Sequence, residues 1–189
     1  MTENRRQIVI EEPGDVWFFA YGSLMWDPGF VPAETRPALL RGLHRRFCVA
    51  SVIYRGTPER PGLSLGLDHG GSCRGLALRI KASDRQAVLA YLAEREMPEE
   101  IYSSRKISIG TDEGALTAYT LVVNRDHFLY VSGLGFDESA ARIAASAGKR
   151  GPNVDYLAQT IGRMDELGIR DGAMHRLLDR VHEFASREI

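Results

Sequence analysis

Cysteine is scarce in this chain: Cys48 and Cys73 are all it has. They lie far apart and match no metal-ligand spacing, so the sequence offers no disulfide framework and points to a reducing compartment. Long apolar runs are missing as well. No stretch approaches the roughly 20 residues of a membrane span, and the opening Met1-Thr2-Glu3-Asn4-Arg5-Arg6 carries both signs of charge without a signal-peptide core. The expectation is a soluble, cytoplasmic protein that does not engage a membrane. Basic blocks stay short, and 24 Lys and Arg stand against 25 Asp and Glu, which argues against a nucleic-acid footprint. The five histidines show no metal pattern. No repeat or low-complexity segment is present. Nothing in the sequence speaks to oligomeric state.

At 189 residues the chain suits one domain that buries about 70% of its unfolded surface. We read residues 1–14 as a loosely held polar arm and residues 15–189 as that domain. The segment Val16-Trp17-Phe18-Phe19-Ala20 runs without polar alternation into Tyr21-Gly22-Ser23-Leu24-Met25-Trp26, as a strand buried on both faces does. Gly22 permits a sharp exit turn. Such a turn is either simple punctuation in the core or a cup of N–H groups suited to an anion or a developing oxyanion. Ser23 itself lacks the Gly-x-Ser-x-Gly setting of a nucleophile elbow.

Downstream, Pro32 and Pro37 predict an irregular stretch, and Leu39 to Tyr54 one long or bent strand. Arg55-Gly56-Thr57-Pro58-Glu59-Arg60-Pro61-Gly62 predicts an exposed loop. Leu63–Leu67 and Cys73–Ile80 read as strands joined by a hairpin through Gly70-Gly71. Ile101–Ile109 and Leu116–Val123 read as a further hairpin, and Phe128–Val131 as a short strand. Helices are expected from a Ser83-Asp84 cap to about Met97, then over Ala140–Ala147, Asn153–Leu167 and Met174–Ile189. Strands first and helices after argue for an α+β fold rather than a doubly wound α/β sheet.

The helix ending near Met97 carries the sharpest geometric signal. Its apolar stripe is Val88, Leu89 and Leu92, and Glu96 falls on the same stripe, whereas Glu94 points away. A carboxylate drawn out of water holds its proton more tightly and becomes a proton shuttle near neutral pH. The alternative is a helix-end glutamate that turns to water or pairs with Arg95 or Arg105. Cys48, four residues after His44, is a buried structural thiol or, less simply, a nucleophile. Asn153, after Gly148-Lys149-Arg150-Gly151-Pro152, reads as a helix cap, with cleft lining as its alternative.

Together these segments resemble the ChaC-type γ-glutamylcyclotransferases. Ala20-Tyr21-Gly22-Ser23-Leu24-Met25-Trp26 with Phe30 is similar to the family's Tyr-Gly-Ser-Leu opening, and Arg45-Arg46-Phe47 to its Arg-Arg-Phe strand. The Arg55–Gly62 loop, Tyr91-Leu92-Ala93-Glu94-Arg95-Glu96 with Tyr102 six residues on, and Gly151-Pro152-Asn153-Val154-Asp155-Tyr156-Leu157 follow in the family's order. The resemblance implies a small, highly curved mixed sheet or barrel flanked by helices. It implies cleavage of a γ-glutamyl peptide, foremost glutathione, to 5-oxoproline and the free amine, with no cofactor and no metal. Glu96 would be the catalytic acid–base. Ala20, Tyr21, Gly22, Ser23, Leu24, Met25, Arg55, Tyr102 and Tyr156 would bind substrate, with Arg55 and Arg60 directed at the carboxylates of the Cys-Gly half.

The chain departs from the pattern at Cys48, where many members carry Trp, and at Pro98-Glu99-Glu100-Ile101, where they carry small residues. Both departures bear on substrate identity more than on reaction type. Another γ-glutamyl amine as substrate, a non-catalytic γ-glutamyl or 5-oxoproline binding module, and a cysteine-dependent amidohydrolase are the alternatives.

Overall fold

The computed structural model describes residues 8, 10, 12–96 and 100–186. The described chain divides into two compact units, Met1–Arg46 with Gly66–His127 and Phe47–Leu65 with Phe128–Ile189. Its elements are β1 (Val16–Ala20), a 3-10 turn (Ser23–Met25), β2 (Glu34–Ser51), β3 (Gly62–Ile80), α1 (Arg85–Glu96), β4 (Tyr102–Thr111), β5 (Gly114–Val123), α2 (Phe136–Ala145), β6 (Ala147–Gly148), β7 (Gly151–Pro152), α3 (Asn153–Glu166) and α4 (Gly172–Ala185). The architecture is α+β, and β1 to β5 close into a barrel in the order β1-β3-β2-β4-β5.

In the first unit, β1 is hydrogen-bonded on both edges. It pairs antiparallel with β3, Val16 opposite Ile80 through Ala20 opposite Leu76, and parallel with β5, Phe18 opposite Tyr119. Pairing protects its edges, and burial of Val16, Phe18, Phe19 and Ala20 covers both faces, which is why its sequence shows no alternation. Only Trp17 stays half-exposed, with the Arg36 guanidinium 4.8 Å above its ring. Phe19 packs with Leu40, Leu67, Ala77, Ile109, Ala118 and Val122 in the core of this unit. The β4–β5 hairpin runs from Tyr102 opposite Val123 to Thr111 opposite Gly114, so its loop is just Asp112 and Glu113. In α1, Val88, Leu89, Leu92 and Ala93 are buried and Glu94 is exposed.

Several expectations are corrected. Pro37 lies inside β2, which starts at Glu34; a proline is tolerated in a strand where the ladder does not call on its missing N–H. The expected Gly70-Gly71 hairpin is absent: β3 runs unbroken for 19 residues. Both glycines take positive φ, +98° and +63°, and bend the strand without reversing it. Val16–Ala20 pairs with the far end of β3, and the His44 ring Nδ1 lies 3.0 Å from the Gly70 carbonyl oxygen. Phe128–Val131 forms no full strand, only a bridge of Tyr130 to Val49.

Within the arm read over residues 1–14, positions 1–7, 9 and 11 lie outside the described residues. Ile8 is buried, and the Glu12 carboxylate is bonded to the Lys106 ammonium and the Tyr119 hydroxyl. Those bonds, lysine's first, hold the Glu12 carboxyl down at about 2.

In the second unit, α2, α3 and α4 pack on the neighbouring ends of β2 and β3. Phe47, Leu63 and Leu65 meet Ile143, Leu157, Ile161, Met174 and Val181 there. Leu157, Ile161 and Met164 are spaced as one face of α3 and are buried together. Asn153, expected as a cap, is instead the first residue of α3 and fully buried. Its side-chain oxygen accepts from the Leu63 N–H at 2.6 Å and its amide donates to the Leu63 carbonyl at 2.9 Å. The side chain therefore completes a strand's hydrogen bonding, not a helix's. Among the described residues no helix is long and apolar enough to cross a membrane.

Candidate active site

Within the first unit, Ala20 ends β1, and its successors Tyr21 and Gly22 lead into the one-turn 3-10 helix of Ser23, Leu24 and Met25. Leu24 and Met25 are buried and anchor the turn by their side chains. The Met25 N–H donates to the Gly22 carbonyl at 2.9 Å, and the Trp26 and Asp27 N–H groups both donate to the Ser23 carbonyl. The first intrahelical bond is thus Met25's, and the Ser23 and Leu24 N–H groups precede it, where a helix has no acceptor of its own.

A buried arginine supports this turn from below. Arg45, 6% exposed, donates its Nε–H to the Tyr21 carbonyl at 2.5 Å and an Nη2–H to the Arg74 carbonyl at 2.7 Å. Sequence reading took Arg45 only as part of a motif and missed this part. A usable signal existed: strand period 2 places Arg45 on the side of Phe47 and Val49, both buried. Asp68 was missed in the same way. It is fully buried, with one oxygen accepting from the His69 N–H and Arg125 and the other 3.2 Å from Arg46.

Glu96 closes α1, its side chain 24% exposed and a carboxylate oxygen 2.9 Å from the Arg95 Nε. The helix phase that separates it from the exposed Glu94 is as read, but the group is not an isolated carboxylate in apolar surroundings. It is one member of an ion pair, and Arg105 is not the partner at that distance. Arg95 also donates to the Asp27 carbonyl at 2.7 Å, the Tyr91 hydroxyl at 3.0 Å and Ser23 Oγ at 3.2 Å. Burial works against the Arg95 charge, yet the Tyr91 hydroxyl and the Glu96 and Asp27 carboxylates outweigh it and raise its proton affinity. Tyr102 opens β4 and is half-buried. Pro98 and Glu99, expected to separate Glu96 from Tyr102, lie outside the described residues.

In the second unit, Arg55 donates to the carbonyls of Arg150 at 2.6 Å and Pro152 at 3.3 Å, and its guanidinium lies 5.1 Å from the Tyr156 ring centroid. Tyr156 meets Phe47 edge to face at 5.6 Å. Burial lowers the proton affinity of Arg55. Arg60 reaches the Ala145 carbonyl and Arg142 the Pro61 carbonyl. Gly56 and Gly148 let the backbones meet: a Cβ on Gly148 would stand 2.6 Å from the Gly56 nitrogen. Cys48 and Cys73 are buried and form no disulfide. Among the described residues no cluster of three or more His, Cys, Asp or Glu could hold a metal ion.

The structure therefore gathers Ser23, its turn and Glu96 around one guanidinium in the first unit, and Arg55 and Tyr156 around the β6–β7 segment in the second. The family model for ChaC-like proteins matches residues 16–184. The glutathione-specific γ-glutamylcyclotransferase of Escherichia coli K12 is 33% identical over 168 residues, covering 88% of this chain and 73% of that protein. A rat glutathione-specific γ-glutamylcyclotransferase 1 is 29% identical, covering 90% of this chain and 80% of its own. The crystal structure of a yeast γ-glutamyl cyclotransferase specific to glutathione superposes with a TM-score of 0.81, covering 92% of this chain and 98% of that one at 22% identity, a likeness of fold. A match running unbroken from β1 into the last turn of α4, together with a relative one-third identical over most of its length, makes this chain a member of the ChaC-like γ-glutamylcyclotransferase family.

Proposed function

We propose that this protein cleaves glutathione to 5-oxoproline and Cys-Gly, with Glu96 as acid–base and the Ala20–Met25 segment holding the γ-glutamyl end. The observation that carries the reading is the hydrogen bonding of Arg95 to both Glu96 and Ser23. It joins the carboxylate and the turn that the chemistry needs within a single unit. The names of relatives described as glutathione-specific support glutathione as the substrate.

The α-amine of the substrate attacks its own γ-carbonyl carbon and closes a five-membered ring. That amine arrives as an ammonium and must lose a proton to become a nucleophile. Glu96, the anionic partner of its ion pair, accepts it. As the γ-carbon to cysteine-nitrogen bond breaks, that proton is delivered to the departing nitrogen, and the second proton shed by the ring nitrogen as it becomes the lactam N–H completes the Cys-Gly ammonium, so no water is consumed. Acid–base help of this kind is worth about 10²–10⁴-fold, and holding amine and carbonyl in attack geometry contributes several kcal/mol more. N–H groups at the head of the turn suit the α-carboxylate or the oxyanion that forms on the γ-carbonyl. Roles for Tyr102, Arg55 and Tyr156 in substrate binding rest on the resemblance of their motifs.

The test is a metal-free incubation with glutathione, with 5-oxoproline and Cys-Gly quantified by mass spectrometry beside Glu96→Gln. Equimolar products that vanish in the variant are expected. Glutamate in place of 5-oxoproline would mean hydrolysis and a wrong mechanism. An Arabidopsis relative named only as γ-glutamylcyclotransferase 2-3, 28% identical over 180 residues, favours including other γ-glutamyl amines in the same screen.

A further inference from the structure

A cation in the last turn of a helix is expected from the helix dipole, but that does not account for what Arg95 touches. Its three nitrogens serve five oxygen atoms: Nε the Glu96 carboxylate, Nη1 the Asp27 carbonyl and Tyr91 hydroxyl, and Nη2 the Ser23 hydroxyl and, at 3.6 Å, the Asp27 carboxylate. Ser23 and Asp27 are the two ends of one turn, because the Asp27 N–H donates to the Ser23 carbonyl at 2.8 Å. The guanidinium grips that turn at both ends while it orients the carboxylate.

A hydroxyl has one hydrogen to give and two lone pairs to share. Arg95 has no acceptor, so at Ser23 it occupies a lone pair, and the Ser23 hydrogen is left to point at another group. That makes Ser23 Oγ a donor, and the partner it suits is a negatively charged oxygen. We propose that Arg95 is a positioning residue that sets the Glu96 carboxylate and directs the Ser23 hydroxyl hydrogen toward an anionic oxygen of the substrate. The inference rests on the reading of Glu96 as the base, and it adds a donor role for Ser23 that acts through Arg95. Only a planar fork does this. A lysine keeps the charge on a single nitrogen and cannot span Glu96, Ser23 and Asp27 at once.

The experiment measures kcat and KM for Arg95→Met, Arg95→Lys, Ser23→Ala, Ser23→Ala with Arg95→Lys, and Glu96→Gln, each with a thermal melt. The substrate is whichever γ-glutamyl amine the wild type turns over best. Arg95→Met is expected to lose at least 100-fold, more of it in kcat than in KM, and Arg95→Lys to recover less than a tenth of that loss. In the Ser23→Ala background Arg95→Lys should cost clearly less than in the wild type, since groups acting as a unit do not add. Arg95→Lys with kcat within twofold of wild type would overturn the proposal, and so would an equal fold-loss in both backgrounds. If Arg95→Met fails to fold, Arg95→Lys carries the test. Turnover surviving in Glu96→Gln would sink the base assignment, whereas the Arg95–Ser23 coupling is read from its own cycle.

Discussion

Arginine has two opposite uses in this fold, seen by setting Arg95 of the first unit against Arg55, Arg60 and Arg142 of the second. In the first, Arg95 bonds to side chains that have chemistry of their own, the Glu96 carboxylate and the Ser23 and Tyr91 hydroxyls. In the second, Arg55, Arg60 and Arg142 spend their donors on main-chain carbonyls of Arg150, Pro152, Ala145 and Pro61. A guanidinium on carbonyls fixes the course of a backbone, while one on carboxylates and hydroxyls fixes reactive atoms. The two sets of motifs are equally visible in the sequence, yet they do different physical jobs.

The sharpest way to break this contrast is a matched pair of buried substitutions. Arg45→Met removes the donor to the Tyr21 and Arg74 carbonyls. Arg45 is buried but its two acceptors are only partly so, and since an unpaired buried acceptor costs about 1–3 kcal/mol, a loss of about 2 kcal/mol in a denaturant melt is expected, with a fall in kcat because the turn is released. Asn153→Ala strips Leu63 of both partners and should cost about 2–4 kcal/mol, yet leave kcat unchanged at temperatures where the variant stays folded. Equal kcat losses in the two would erase the distinction.

Arg55→Ala comes next. It should lower the melting temperature by a few degrees, since about 1 kcal/mol moves a domain of this size by roughly 2–4 °C. It should also raise KM for glutathione if the motif resemblance holds. An unchanged KM would make the loop purely architectural.

A smaller effect concerns His175, whose ring lies 2.8 Å from the Asp171 carbonyl and 3.1 Å from the Asp165 carboxylate. Those bonds, the backbone one first, raise its proton affinity in the folded state above the usual 6.5. The stabilisation is therefore complete below about 6.5 and is lost as pH rises through the folded value. A melting temperature that declines by about 1–2 °C between pH 6 and 8, and flattens in His175→Gln, is expected for so exposed a pair. Smallest of all, Glu94→Gln should be silent in kcat, KM and melting. A loss like that of Glu96→Gln would mean that the wrong face of α1 had been read.

Local signals carried much of this fold. The buried run of β1, the phase of α1 and the β4–β5 hairpin are each decided by near neighbours in the chain, and each is found where it was read. What failed needed distant partners. Gly70-Gly71 fits a hairpin or a bend equally well, and only the pairing of β1 with residues 76–80 fixes the bend. Asn153 satisfies every local rule for a cap, but the unpaired groups it serves are at Leu63, 90 residues away. Arg45 and Asp68 are polar, and polarity alone assigns them to the surface. Their partners come from other stretches of the chain: Tyr21 and Arg74 for one, Arg46 and Arg125 for the other. At the site, the resemblance pointed to Glu96, but nothing in the sequence says that Arg95 joins it to Ser23.

The division of the chain has a consequence for how this protein can be inherited or rebuilt. Each unit is made of two separate stretches, with boundaries after Arg46, Leu65 and His127. No terminal truncation isolates either unit, and no single crossover exchanges one between relatives. A shuffled chimera must be joined at all three boundaries, two of which fall inside the continuous strands β2 and β3. Homologous recombination at one point therefore yields hybrids with split cores, so the family's variation is expected to accumulate by point substitution rather than by trading modules.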